Sequence, residues 1–319
     1  MAKKIKRKMI HKELRTIGSL VRFFTGKPSI KKFKRTRKLQ ARFFKGKNLV
    51  KKELKYSEIY INDTRTVIYE PIEKRENSVG LLWLHGGGFL NGIPEAEVEY
   101  FKKFIFATNC IVFAPDYTKS YDAPYPKALH ESYDVLKYMK DNVDKYNINP
   151  SQIFVAGVSA GGGLTAALTL YARDKGEVNV AFQMPLYPML DDRETESNKD
   201  NDAPMWNTKS NIIGWKSYLG DLYNTNDIPK YAAPAREVDY SNLPPTLTFI
   251  GGIDPFRDET VNYVNNLRKA NIETHFELYD GCFHAFEVVG FWKNIGKSAI
   301  KFSLDGFIYA ANNYFKEQP

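Results

Sequence analysis

One serine, Ser159, stands between two glycines in Gly157-Val-Ser-Ala-Gly161. An apolar run, Ile153 to Ala156, precedes this turn, and the helix-forming run Leu164 to Arg173 follows it. The first has the length and type of a buried strand. A G-x-S-x-G turn between strand and helix holds a serine on a tight bend, clear of the sheet. Residues two before and two after it must have almost no side chain. The helix then points its positive end, and the N–H of Ala160, at an oxygen that acquires charge. A second glycine cluster, His85-Gly-Gly-Gly-Phe89, follows the apolar run Leu81 to Leu84. Three glycines after a strand also serve as a plain flexible turn. A histidine before them, and the serine turn 74 residues later, favour a loop whose bare N–H groups converge where an oxyanion forms.

Two more residues fit this chemistry. Asp254 follows the strand-like run Thr246 to Ile250, and His284 follows Glu273 to Tyr279. Asp258 reads as the N-cap of the next helix, which leaves Asp254 without such a role. Alone, His284 would read as a structural histidine. Ser159, Asp254 and His284 each follow a predicted strand of one parallel set, so they meet at the edge where open α/β sheets bind ligands.

The positioning elements follow from the pattern. Lys55 to Ile61 and Arg65 to Ile72 flank Asn62-Asp63, which predicts a hairpin. Helices are expected over Glu95 to Thr108, Lys127 to Asp144 and Lys293 to Phe315. Further strands are expected over Cys110 to Ala114 and Asn179 to Met184. Strands alternating with helices imply an α/β fold with a mostly parallel central sheet flanked by helices. Residues 191–240 interrupt the alternation. Their polar start and their aromatics (Trp206, Trp215, Tyr218 and Tyr223) read either as a peripheral helix pair or as a helical cap lining an acyl pocket, and the second is favoured.

With these motifs in hand, the sequence resembles the hormone-sensitive-lipase-like branch of the α/β-hydrolases, the family of bacterial acetyl esterases and carboxylesterases. The resemblance spans about residues 75–310. His85-Gly-Gly-Gly-Phe89 matches the family's HGGG loop, and Gly157-Val-Ser-Ala-Gly-Gly162 its GDSAGG elbow. Ile253-Asp-Pro-Phe-Arg-Asp258 matches its DPLRD segment, and Phe283-His-Ala-Phe286 its HGF. Asp116-Tyr117 with Tyr125-Pro126 resembles the remnant of its DYRLAPE…FP stretch. Val158 replaces the family aspartate, Ala285 replaces a glycine, and residues 118–122 lose the RLAPE pattern. The resemblance implies a serine carboxylesterase for short- to medium-chain acyl esters. Ser159, His284 and Asp254 would be its catalytic triad. Gly86, Gly87, Gly88 and Ala160 would form its oxyanion hole, with Gly86 shaping the loop. It implies no metal and no organic cofactor. A peptidase or amidase on the same scaffold is the alternative. A non-catalytic receptor or membrane-surface interaction protein is a remoter one, because such relatives lose a triad member.

The 319-residue chain carries net +9, and the charge is split. Residues 1–55 hold net +19 and the remainder net −10, so an acidic body carries a basic arm. The division expected is an arm or part of a cap over residues 1–50, and a catalytic domain over 51–319 with its cap insertion at 191–240. Ile10, Leu14, Ile17, Val21 and Phe24 share one helical face, ended by Gly26 and Pro28. A second basic run spans Lys31 to Lys47. Three readings of the arm compete: a lid over the body, a helix on an anionic membrane surface, and a nucleic-acid contact that a basic stripe permits without supporting. No run reaches the roughly 18 apolar residues of a membrane span. Cys110 and Cys282 read as reduced thiols of a cytoplasmic protein, peripheral to a membrane at most. Oligomeric state leaves no mark on the sequence.

Overall fold

The computed structural model describes residues 5–47, 49–50, 52–73 and 76–319; residues 1–4 and 48 of the predicted arm lie outside them. The hairpin forms as expected. β1 (Leu54–Ile61) and β2 (Thr64–Pro71) pair antiparallel, with Asn62 in the left-handed region at the turn. Asparagine tolerates that conformation better than other side chains.

After the arm helices α1 (Arg15–Thr25) and α2 (Ile30–Phe44), strands and helices alternate. β3 (Ser78–Leu84), α3 (Val98–Thr108) and β4 (Ile111–Pro115) come first. α4 (Lys127–Asp141), the single turn α5 (Val143–Tyr146), β5 (Ile148–Val158), α6 (Ala160–Lys175) and β6 (Phe182–Leu186) follow. α7 (Thr208–Leu219) lies in the insertion. β7 (Thr246–Gly251), α8 (Arg257–Lys269), β8 (Thr274–Tyr279), the single turn α9 (Phe286–Val289) and α10 (Asn294–Asn313) close the chain. The eight strands run β1-β2-β4-β3-β5-β6-β7-β8. β2 is antiparallel to both neighbours, and every later pair is parallel. A parallel sheet covered on both faces leaves its strands no solvent face, and β3, β4 and β7 are buried throughout.

Three expectations need correction. β6 begins at Phe182, not Asn179, and extends to Leu186, because its pairing with β5 runs to Val158↔Leu186 beside the serine turn. The helix predicted from Ile10 starts only at Arg15. The N–H of Ile5 donates to Asp202 Oδ1 and that of His11 to the Gly281 carbonyl, so the body holds the segment ahead of the helix in place. Ile10 and Leu14 are buried against the body all the same, whereas Phe24 points outward. Asp258 is not an N-cap: it lies in the first turn of α8 and accepts the Ser197 N–H at 2.8 Å. Asp254 Oδ1 accepts the Phe256 N–H just ahead of that helix, so Asp258 is left to tether the insertion.

The arm is fastened to the body near β2. Arg65, 5% exposed, pairs with the fully buried Glu95 and, at 2.6 Å, with Glu58. Glu95 also accepts the Gly46 N–H from the end of the arm. Removing one partner of a buried pair strands the other charge, a loss of about 3–5 kcal/mol. Arg65→Met should therefore lower unfolding free energy by about that much. Arg65→Met combined with Glu95→Leu should recover part of it. Urea denaturation of the two variants and the wild type checks both.

Candidate active site

The local physics of the serine turn comes from its glycines. Ser159 adopts φ 58° and ψ −122°, a conformation that costs a non-glycine residue about 1–3 kcal/mol and persists only where its surroundings enforce it. Its N–H donates to Leu186 O, and its carbonyl accepts from Gly163 and Met189. A Cβ on Gly161 would lie 2.0 Å from Leu84 O, and one on Gly157 would lie 2.5 Å from the same oxygen. The turn thus closes directly onto the end of β3, where the His85–Phe89 loop begins.

The three residues singled out from the sequence meet there. His284 Nε2 is 2.8 Å from Ser159 Oγ, and His284 Nδ1 is 2.8 Å from Asp254 Oδ2. All three are buried, with Asp254 1% exposed. Tyr187, Phe256 and Trp206 surround the imidazole ring. Asp254 Oδ2 is left to the imidazole while its other oxygen holds the α8 turn.

The glycine loop divides in its duties. Gly87 (φ 123°) and Gly88 (φ 63°) lie in backbone regions open chiefly to glycine. The N–H groups of Gly87, Gly88 and Ala160 find no partner among the described residues. Gly86 differs. Its N–H donates to Glu97 Oε1 at 2.8 Å, so it fixes the loop rather than offering a free donor. Its carbonyl lies 2.8 Å from His85 Nδ1.

A cavity of about 970 Å³ adjoins Ser159 and His284. Its walls are predominantly apolar. The arm contributes Thr25, Phe33 and Gln40, and the insertion contributes Met205 and Trp206. Of the insertion's aromatics, Trp206 alone is a wall residue. Trp215 and Tyr218 are buried elsewhere, and Tyr218 stacks on Phe89 at 3.7 Å between ring centroids. The sequence pattern of α7 marked which residues are buried, but burial in a second packing layer has the same pattern as burial around a cavity.

Sequence reasoning missed several polar residues here. Glu97 also accepts from Trp83 Nε1, and loss of water around its carboxyl pushes it up to about 7. Glu287 is fully buried, accepts from the hydroxyls of Tyr100 and Tyr187, and is likewise raised by burial. Lys119, 1% exposed, touches His85 Nε2 at 3.0 Å, and burial pulls it down to about 7. None had a sequence signal beyond its place: Glu97 read as an ordinary helix start, and Lys119 fell where the family pattern lapses. Among the described residues, no group of three or more His, Cys, Asp or Glu is arranged to hold a metal ion.

A family model described as alpha/beta hydrolase fold matches residues 81–288, more than half of the chain. The chain belongs to the α/β-hydrolase family. The relatives of this α/β-hydrolase include Esterase LipI of Mycobacterium tuberculosis, 29% identical over 208 residues that span 65% of each chain. An arylesterase of Saccharolobus solfataricus is 28% identical over 69% of this chain and 71% of its own. Among solved structures, a bacterial heroin esterase superposes with a TM-score of 0.86 at 27% identity, covering 95% of this chain and 98% of that one. These likenesses support a carboxylesterase function for the hydrolase.

The buried lysine has a measurable consequence. An unfolded lysine titrates near 10.5, so between about pH 7 and 10 the unfolded chain binds more protons than the native one. Stability contributed by Lys119 therefore rises with pH in that window, by at most about 1.4 kcal/mol per pH unit. Lys119→Met should flatten this slope. Urea unfolding of wild type and variant at pH 7 and pH 9 measures the difference.

Proposed function

We propose that this hydrolase is a serine carboxylesterase acting on short- to medium-chain acyl esters through an acyl-enzyme. The observation that carries the reading is the unbroken hydrogen-bonded run Ser159–His284–Asp254 beside three unpartnered N–H groups. Ser159 Oγ attacks the ester carbonyl while His284 Nε2 takes its proton. The carbonyl oxygen, now negative, is held by the N–H groups of Gly87, Gly88 and Ala160. Each such donor contributes about 2.7–4 kcal/mol to the transition state. His284 returns the proton to the leaving alcohol, and Asp254 stabilises the imidazolium and fixes its tautomer. Water, activated by the same histidine, then frees the acid. The apolar cavity walls suit an acyl chain longer than acetyl.

We assign the arm and the insertion together to the cap, since both supply cavity walls. The arm also meets an anionic membrane surface in this reading. Leu20, Phe23 and Phe24 project from α1, with Phe23 82% exposed, among the Lys and Arg residues of the basic arm. Exposed aromatics with basic neighbours are the composition of an interfacial helix. No helix among the described residues is long and apolar enough to cross a membrane. Buried, unpaired Cys110 and Cys282 suit a reducing, cytoplasmic setting.

Ser159→Ala should leave the fold intact and lower hydrolysis of p-nitrophenyl esters at least a thousandfold, with wild-type activity peaking between acetate and decanoate. Comparable turnover by both chains would refute the assignment, and activity on anilides alone would make the protein an amidase. On vesicles, the full chain should float with phosphatidylglycerol and not with phosphatidylcholine. Phe23→Asp/Phe24→Asp should abolish flotation without changing acetate hydrolysis. Equal flotation of both chains would remove the membrane contact.

A further inference from the structure

A chain of polar side chains stands behind the glycine loop, and the hydrolytic steps leave it without a task. Lys119 buries its amino group, which is costly without partners. Its Nζ reaches His85 Nε2 at 3.0 Å, Asp116 Oδ1 at 3.3 Å and the Tyr117 carbonyl. His85 is fully buried and lies flat against the Tyr117 ring, 4.1 Å between centroids. The Tyr117 hydroxyl donates to His85 O at 2.6 Å.

The tautomer of His85 follows from its partners. Nδ1 faces the Gly86 carbonyl, which only accepts, so Nδ1 carries the proton. Nε2 is then left as an acceptor, and the Lys119 amino group, which carries N–H donors in either protonation state, donates to it. Burial and the neighbouring lysine hold the ring well below its ordinary range, hence neutral.

The chain continues into the arm. Asp116 is gripped by Arg37 of α2, whose Nη2 lies 2.9 and 3.1 Å from the two carboxylate oxygens. Arg37 Nη1 donates to Gly92 O, and Gln40 Oε1 accepts the Gly92 N–H. Gly92 packs on the back of the loop: a Cβ there would lie 2.5 Å from His85 Nδ1 and 2.2 Å from Gly86 O. Helix α2 therefore holds segment 85–92 from two sides.

We propose that Lys119, seated by Asp116 and by Arg37 of the arm, is a positioning residue for ester hydrolysis: it enforces the His85 tautomer that pins the Gly86 carbonyl and so aims the Gly87 and Gly88 N–H groups. This rests on the reading that those groups bind the oxyanion. Glu97 pins the N–H of Gly86, which lies in the peptide plane before that residue, and His85 pins its carbonyl, which shares a peptide plane with the Gly87 N–H, so the planes on both sides of Gly86 are anchored. Without Lys119 the ring can carry its proton on Nε2 instead. Nδ1 and the Gly86 oxygen would then face each other as two acceptors, and the loop would turn away. The arm is thereby part of the catalytic geometry as well as a cover.

The test compares wild type with Lys119→Met, Arg37→Met and Arg37→Lys on p-nitrophenyl acetate, with histidine 15N spectra of each full-length chain. Lys119→Met should lower kcat at least tenfold with KM changed less than threefold, and should convert the His85 ring from the Nδ1–H form to a mixture. Arg37→Met should lower kcat about three- to tenfold, with partial recovery in Arg37→Lys. Should Lys119→Met not fold, Arg37→Met, on a helix at the surface, decides by the same two readouts. A kcat within twofold of wild type in the folded variants would overturn the proposal. So would a fall in kcat with the His85 tautomer unchanged. Wild type inactive on every ester would count against the esterase reading instead, and the tautomer spectra would still test what Lys119 does to His85.

Discussion

Everything at the active edge depends on one close approach, that of Gly161 and Gly157 to the carbonyl oxygen of Leu84. β3 and β5 are neighbouring parallel strands, and both end at this point. The chain leaving β5 must reverse into α6 while the chain leaving β3 must turn into the glycine loop. Two glycines let these backbones touch. The contact forces Ser159 into a strained conformation and sets the start of α6 against the start of the glycine loop. A larger residue at either place would push the serine turn away from the glycine loop.

The same edge concentrates buried charge. Glu287 lies three residues from His284, Glu97 and Lys119 touch the glycine loop, and desolvation dominates the pKa of each. Such groups are retained only where hydrogen bonds offset the loss of water. Each has them: Glu97 takes two N–H donors, Glu287 two tyrosine hydroxyls, and Lys119 a histidine, a carboxylate and a carbonyl. These bonds are directional, so the polar shell gives the loop and the histidine definite orientations that apolar packing alone would leave loose.

The arm shows how a strongly basic segment settles on an acidic body. Its inward residues, Ile10 and Leu14, are buried in the core, and Phe33 lies 5.9 Å from Trp206 across the cavity wall. Its charges divide: Arg37 enters the loop support, while many others remain in solvent. The arm thus serves packing, the cavity wall and the support of the glycine loop at once, and its outward face carries apolar residues that the body leaves uncovered.

Much of this was legible in the sequence because it is local. Glycines at fixed offsets from a serine, short apolar runs and turn residues are consequences of backbone sterics, and they specified the hairpin, the alternation of strands and helices, and the candidate residues Ser159, Asp254, His284, Gly87, Gly88 and Ala160. Gly86 belongs with the loop, but its N–H is spoken for by Glu97, a partner eleven residues away. Where bonds were made to distant segments, local reading went astray, as at His11 in the arm and at Asp258. The periodicity of α7 could not separate Trp206 at the cavity from Tyr218 behind it, since both are buried. The amino-acid sequence by itself determined the strand order's raw material, the serine turn and the candidate side chains Ser159, Asp254 and His284. Only the tertiary structure decided what stands behind them, because Arg37, Asp116, Lys119 and His85 become neighbours through long-range packing, and no spacing along the chain encodes a contact made across it.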